Sequence, residues 1–448
     1  MAFSKVLIAN RGEIAVRVIR ACRNMGIASV AVYSKADAAS LHVQLADQSV
    51  CIGESPSKDS YLNMDRIISA ALETGSEAIH PGFGFLAENS EFARRCEEFG
   101  ITFIGPSPDV MDRMGNKSQA RSTMMEAGVP VVPGTKEPVY DVEAAKAAAA
   151  QIGYPIMIKA SSGGGGKGIR AALTEEEFAT QFNMAQMESV NAFGDGAMYL
   201  ERFITDPRHV EIQIMADNHG NVVALGERDC SVQRNHQKMI EESPSPALTP
   251  ETRAEMNRCA VLAAKTVGYT NAGTVEFLVD SDGSFYFMEM NTRIQVEHGV
   301  TEMATGTDLI IEQIRVAQGE ELSFTQEDIR PVGHAIECRI NAEIPERGFM
   351  PCPGKIENVH LPAGNGVRVD TCIYTGYVIP SEYDSMVAKV IVHAPDRESA
   401  IRKMCTALDE MVITGIQTNL DFQYKILHDP VFLAGKADTG FIERFLKK

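Results

Sequence analysis

Four consecutive glycines, Gly163–Gly166, stand between two apolar runs that both read as strands, Tyr154–Lys159 and Ile169–Leu173. Glycine inside an element costs backbone entropy, so the run is either the tip of a hairpin or a flexible linker, and strands tight on both sides favour the hairpin. Bare backbone N–H groups in such a tip can wrap around phosphate oxygens, and Lys167 adds positive charge. The run is not a Walker A loop: Gly168 stands where Ser or Thr should follow the lysine, and the loop joins strand to strand rather than strand to helix. A glycine-rich cover of this kind suits closure over a nucleotide. Lys117 and Lys159 are the further lysines expected near phosphates. Lys159 ends an apolar strand, where an unpaired ammonium is costly, so an anionic partner is expected there. Strand Met198–Ile204 offers its backbone to the edge of a base and Glu201 to ribose hydroxyls.

Upstream, strand and helix patterns alternate. Val6–Ala9 reads as a buried strand, and Asn10-Arg11-Gly12 turns the chain. Ile14, Val18, Ile19, Cys22 and Met25 then recur at helical spacing as far as Gly26. Strands Ser29–Tyr33, Ala78–His80 and Ile101–Ile104 and helices Met64–Thr74 and Ser90–Gly100 follow. The pattern predicts a parallel sheet with helices on both faces. The first turn holds one glycine where a dinucleotide fingerprint needs three, which argues against NAD. His80–Leu86 follows a strand end, where such folds place ligands; it reads equally as a plain Gly/Pro turn.

The densest charges follow the apolar strand that begins at Phe285. In an extended chain Arg293, Gln295 and Glu297 share one face, where a cation, an amide and a carboxylate can hold a small oxyanion and take its proton. The alternative is an edge strand with a solvated charged face. Strand His209–Met215 puts His209, Glu211 and Gln213 together, and Gln233, His236 and Lys238 lie in a polar loop. In the hairpin Thr274–Val279 and Ser284–Met290, Glu276 and Glu289 face one side unless the register slips. Such a pair of carboxylates suits Mg2+ bridging to phosphates. Val332–Ala342 carries Glu337 and Arg339 on one face, and Ala144–Ala150 reads as helix surface.

At 448 residues the chain is too long for one core, and three domains are expected, 1–115, 116–204 and 205–448. A hydrophobic share of 44% and a charged share of 23% exclude a disordered chain. The net charge of -18 argues against nucleic acid and anionic membrane as partners. No apolar run reaches the roughly 18 residues of a membrane span. Nine unclustered cysteines read as reduced thiols in a cytoplasmic protein. The N-terminus enters a strand directly, without a signal peptide.

Together the motifs resemble biotin carboxylase, the ATP-grasp component of biotin-dependent carboxylases, over nearly the whole chain. They are I-A-N-R-G-E-I-A at Ile8–Ala15, H-P-G-F-G-F-L-A-E-N at His80–Asn89, K-A-S-S-G-G-G-G-K-G at Lys159–Gly168, E-R-D-C-S at Glu227–Ser231 and E-M-N-T-R-I-Q-V-E-H at Glu289–His298. The resemblance implies an α/β fold, α+β in the C-terminal half. Residues 1–115 would be a Rossmann-like domain, 116–204 an ATP-grasp lid, and 205–448 the ATP-grasp core with a C-terminal biotin carboxylase domain. It implies ATP at Lys117, Lys159, Gly164, Gly165, Gly166, Glu201, Arg202, Ile204, His209, Gln233, His236, Glu276 and Glu289. Two Mg2+ or Mn2+ ions would sit at Glu276 and Glu289 with Asn291 close by. Bicarbonate falls to Arg293, Gln295, Val296 and Lys238, and biotin to Phe83, Gly84 and Arg339. Glu297 is the implied base, with Arg293, Lys238 and Arg339 as its catalytic companions.

The implied reaction is carboxylation of biotin through carboxyphosphate. It is the first half-reaction of an acyl-CoA carboxylase, with acetyl-CoA and fatty acid synthesis the first choice. The chain carries no Met-Lys-Met and ends soon after its last helix, so the expected partners are a separate biotin carboxyl carrier protein and a carboxyltransferase. A homodimer is implied, in the cytoplasm or as a processed organelle protein. Four positions depart from the family pattern. Phe83 replaces a tyrosine, Asn235 an arginine and Asn24 an acidic residue near Arg20 on the first helix. Gly299 replaces a proline, which is expected to loosen the active strand. The rival readings are an ATP-grasp carboxylate–amine ligase and a nucleotide-binding regulator without turnover.

Overall fold

The computed structural model describes residues 2–161 and 168–447. They form two compact units, one of Met1–Gly115, Arg208–Glu276 and Met290–Lys448, the other of Asn116–Pro207 with Phe277–Glu289. The fold is mixed α/β, with a parallel sheet at the N-terminus and antiparallel sheets elsewhere.

The first unit opens with five parallel strands, β1 (Lys5–Ile8), β2 (Ala28–Ser34), β3 (Gln48–Gly53), β4 (Ala78–His80) and β5 (Thr102–Phe103), in the order β3-β2-β1-β4-β5. Alternate residues of β1 and the adjoining Ala9 feed two cores. Val6 and Ile8 pack with Ile14 and Val18 of the helix Gly12–Asn24, whereas Leu7 and Ala9 pack with Ile67 and Phe92 of the helices Met64–Thr74 and Ser90–Glu98. Helices therefore cover both faces, as the sequence pattern requires. Asn63 and Asn89 cap the second and third of these helices by accepting from the N–H groups of Arg66 and Phe92. The strand order reverses between β1 and β4, the point where ligands bind in such sheets. There Asn10 Nδ2 donates to the carbonyls of Pro81 and Phe83, each at 2.7 Å, which ties the two switch-point loops together.

In the second unit β6 (Ile156–Ala160) and β7 (Ile169–Ala172) form the expected antiparallel hairpin, and β8 (Met198–Arg202) pairs on the other side of β6. The tip of that hairpin, including Gly164, Gly165, Gly166 and Lys167, lies outside the described residues. Ile156, Ile158, Met198 and Leu200 meet Phe178 and Phe182 of the helix Glu175–Phe193. The alanine run is not all helix surface: Ala145 and Ala149, one turn apart, are fully buried against this core.

The chain continues with β9 (Arg208–Ala216), β10 (Val222–Arg234), β11 (Gln237–Ser243), β12 (Asn271–Val279), β13 (Phe285–Asn291) and β14 (His334–Asn341). With strands Met386–Ala394 and Val367–Thr371 they make one eight-stranded sheet, ordered β13-β12-β9-β10-β11-β14-(386–394)-(367–371). Two sequence expectations are corrected here. Gln233 and Lys238 are paired residues of the β10–β11 hairpin, not a loop. The charged stretch is not extended: β13 stops at Asn291, 292–297 turn, and the helix His298–Thr305 begins at once. The face shared by Arg293, Gln295 and Glu297 therefore cannot come from strand alternation. Among the described residues no helix is long and apolar enough to cross a membrane.

Candidate active site

Three elements bring acidic side chains onto one ammonium. Lys238, on β11, donates 2.6 Å to Glu211 of β9, 2.6 Å to Glu297 at the cap of the helix His298–Thr305, and 3.2 Å to Glu276 of β12. Burial works against the lysine's charge, and the acidic groups around it outweigh burial, raising its pKa well above the usual range. Glu297 is 2% exposed. Burial pushes its carboxyl up, but Lys238, Arg339 and Arg228 overcome that and hold it well below the usual range. Its second oxygen accepts from Arg339 Nη2 at 2.9 Å, and the same Nη2 pairs with Glu241 at 2.6 Å. Burial lifts the Glu241 carboxyl to about 7 against the pull of Arg339.

Glu276 has a different set of partners. Its Oε1 accepts from Asn291 Nδ2 at 2.7 Å and Gln295 Nε2 at 2.8 Å, and His209 Nε2 lies 2.9 Å from Oε2. Burial raises its pKa, Lys238 and His209 lower it further, and the carboxylate stays ionised. An ionised carboxylate beside an amide is the hard oxygen chemistry that Mg2+ takes, so Glu276 and Asn291 fit the metal-binding part implied for them. Ligand atoms of His209, Glu211 and Glu276 all lie within 4.8 Å of one another.

Arg228 lies beneath these groups, fully buried. It donates to Glu211 (2.6 Å), Gln213 (2.7 Å), Thr301 (2.9 Å), Thr274 (3.2 Å) and Gln295 Oε1 (2.6 Å). Two further buried groups hold the turn that carries Gln295 and Val296. Lys389 Nζ donates 2.5 Å to the Val296 carbonyl and sits 3.3 Å from Glu13. His298 Nδ1 lies 2.7 Å from the Gln295 carbonyl. None of Arg228, Lys389 and His298 was nominated from sequence. A lone lysine inside the apolar strand Met386–Ala394 was a legible signal, since an ammonium there must have partners.

Arg293 reaches the cluster through Asn291 Oδ1 (Nη2, 3.2 Å), while its Nε donates 3.0 Å to Glu88. Gln233 stands opposite Lys238 across the hairpin, and His236 is exposed in its turn. Asn235 and His236 are both at positive φ, 50° and 63°. A two-residue hairpin of this type favours Asn, so Asn235 suits the turn even though it departs from the family's arginine. Phe83 and Gly84 lie on the switch-point loop, with no direct bond to the cluster among the described residues.

Gly299 does not loosen a strand. It is the second residue of the helix His298–Thr305, and a Cβ there would come 2.4 Å from Ile391 Cδ1. The isoleucine fills the space that a larger residue at 299 would need.

The remaining nominated residues lie in the second unit. Lys117 pairs with Glu289 at 2.8 Å. Lys159 pairs with Glu201, which also faces Arg121 at 3.5 Å. The Lys159 side chain is 42% exposed, so the expected cost of burying it unpaired does not arise. Arg202 donates its N–H to the Pro133 carbonyl (2.8 Å) and its guanidinium to Asp280 (3.2 Å), and Ile204 is buried.

Three family models match in succession: "Biotin carboxylase, N-terminal domain" over residues 2–111, "Carbamoyl-phosphate synthase L chain, ATP binding domain" over 116–325, and "Biotin carboxylase C-terminal domain" over 337–444. Biotin carboxylase 1 of Bacillus subtilis is 58% identical over 98% of each chain. Biotin carboxylase of Nostoc is 54% identical over 100% of each. A pyruvate carboxylase subunit of Methanothermobacter thermautotrophicus is 53% identical over 99% of this chain and 90% of that one. Among solved structures, a biotin carboxylase–ATP complex from Campylobacter jejuni matches with TM-score 0.91 and 48% identity over 99% of both chains. A dimer of the biotin carboxylase domain of Hydrogenobacter thermophilus 2-oxoglutarate carboxylase, with MgADP and bicarbonate, matches with TM-score 0.91 and 51% identity over 100% of this chain and 98% of that one.

Proposed function

Because the chain belongs to the biotin carboxylase family of ATP-dependent ligases, we propose that its buried acidic cluster deprotonates bicarbonate, drives it onto the γ-phosphate of ATP, and delivers the resulting CO2 to biotin. The observation that carries this reading is Glu297, a buried carboxylate held ionised between Lys238 and Arg339.

Ionised Glu297 is ready to accept a proton. Bicarbonate is a far weaker acid than a carboxylic acid, so the transfer needs Glu297 to become more basic. That follows when Lys238 and Arg339 turn from Glu297 to the arriving anions, since each cation lost raises the carboxylate's proton affinity. Arg293, Gln295 and the Val296 N–H hold the bicarbonate. Its oxygen attacks the γ-phosphorus, the bond to the ADP oxygen breaks, and Lys238 balances charge on the transferring group. Glu276 and Glu289, with Asn291 close by, would hold Mg2+ or Mn2+, which would supply charge neutralisation on the phosphates. Carboxyphosphate splits into CO2 and phosphate, the phosphate takes the biotin N–H proton, and the nitrogen adds to CO2 while Arg339 stabilises the ureido oxygen. Phe83 and Gly84 border the biotin. Lys117, Lys159, the Gly164–Gly166 backbone, Glu201, Arg202, Ile204, His209, Gln233 and His236 bind the nucleotide.

We place the biotin on a separate carrier protein, a carboxyltransferase downstream, the enzyme in the cytoplasm, and acetyl-CoA as the final acceptor. The likeness to a 2-oxoglutarate carboxylase domain and to part of a pyruvate carboxylase favours a 2-oxo acid as the second choice. The test is ADP release from MgATP with and without bicarbonate and free biotin. Release that needs bicarbonate and rises with biotin is the expected result. Release that ignores biotin and answers to an amine and a carboxylic acid would replace this reading with the ligase, and tight ATP binding without turnover with the regulator.

A further inference from the structure

The backbone donor proposed for bicarbonate, the Val296 N–H, belongs to the same peptide plane as the Gln295 carbonyl. That bond is trans, and in a trans peptide C=O and N–H point in opposite directions. Whatever holds the Gln295 carbonyl therefore aims the Val296 N–H. Two groups hold it: His298 Nδ1 at 2.7 Å, and the His298 backbone N–H at a longer 3.3 Å. A carbonyl oxygen only accepts, so Nδ1 carries the ring proton.

The surroundings keep the ring in that one state. His298 is fully buried, and burial lowers its pKa to about 3, with Lys389, Arg17 and Arg368 adding to the effect and Glu302 opposing it. Nε2 has no hydrogen-bond partner, and the nearest acid, Glu302 Oε2, is 3.9 Å away. On the far side of Val296, Lys389 holds the next carbonyl. The peptide planes on both sides of Val296 are thus fixed from buried positions.

We propose that His298 is a positioning residue for bicarbonate: its neutral imidazole, through Nδ1–H on the Gln295 carbonyl, sets the direction of the Val296 N–H. This rests on the reading above that Val296 serves bicarbonate. Asparagine and glutamine separate the hydrogen bond from packing. Asn Nδ2 stands two bonds from Cβ, where His Nδ1 is, whereas glutamine matches histidine better in size but carries its amide one bond further out.

The experiment is steady-state kinetics of His298→Asn and His298→Gln, with the KM for bicarbonate and for MgATP measured separately and thermal melting as a check on folding. His298→Asn should keep a bicarbonate KM near that of the parent. His298→Gln should raise it roughly five- to tenfold, the worth of one hydrogen bond, with the MgATP KM unmoved. Glutamine performing as well as asparagine, or both KM values rising together, would overturn the proposal and leave His298 a packing residue. Parent turnover that needs no bicarbonate would overturn the reaction reading, and this proposal with it.

Discussion

Lys238 Nζ and Glu297 Oε1 are 2.6 Å apart, and that same ammonium also serves Glu211 and Glu276. One cation thus ties three carboxylates together, and the proposed base depends on it directly.

Replacing Lys238 with glutamine should therefore move a pH profile as well as a rate. The Glu297 carboxyl lies below its usual range partly because of Lys238, so losing the ammonium raises its pKa. The acid limb of log kcat/KM for bicarbonate against pH, which reports the free enzyme, should shift to higher pH, with kcat falling by about 10² for loss of a preorganised charge. A reduced kcat with an unmoved acid limb would break the link between these two residues.

Acid stability should depend on Glu302, which accepts from Arg17 at 2.9 Å and Arg368 at 2.6 Å. Burial opposes its charge, the two arginines outweigh burial, and the carboxyl falls from 4.5 to about 2. A folded-state pKa below the unfolded one gives stability that is complete above the unfolded value and drains away as pH falls toward the folded one. The contribution at neutral pH is of the order of 3 kcal/mol. Glu302→Gln should melt well below the parent at pH 7, and the gap should close as pH falls from about 5 toward 2. A gap of constant size would refute the ion-pair account.

Gly299 and Ile391 should behave as one unit. A Cβ at 299 clashes with the far end of the isoleucine, while Glu337 Oε2 at 3.5 Å and Arg368 Cζ at 3.7 Å are at ordinary contact distance, so Gly299→Ala should cost about 1 kcal/mol, the low end for overpacking. Ile391→Val removes the clashing Cδ1, and in that background the alanine should cost nothing. Thermal melts of the two single variants and the double variant measure the coupling. Additive losses would show that the space at 299 is not set by Ile391.

Much of this molecule is legible in one dimension. Alternation of strand and helix over the first hundred residues is local physics, and β1, the helix Gly12–Asn24 and β4 follow it closely. The polar groups that the fold brings together here were also within reach, because Arg293, Gln295, Glu297, Lys238 and Arg339 are charged or polar groups in unusually apolar company. Their geometry was not. Period-two reasoning carried the chain straight on past Asn291, whereas it turns at 292–297 and enters a helix. The elements that compel that turn, Lys389 and Arg228, are distant in sequence. Lys159 was judged by its strand rather than its neighbour, and only the structure supplies Glu201.

Arg228 has a consequence in time. Its five partners come from β9, β12, the turn after β13 and the following helix. These segments run from Glu211 to Thr301, and none supplies the whole set. During synthesis or refolding, the geometry proposed to hold the oxyanion therefore arises only when the last of them docks. Regained turnover is then a late clock, one that partly assembled chains cannot start.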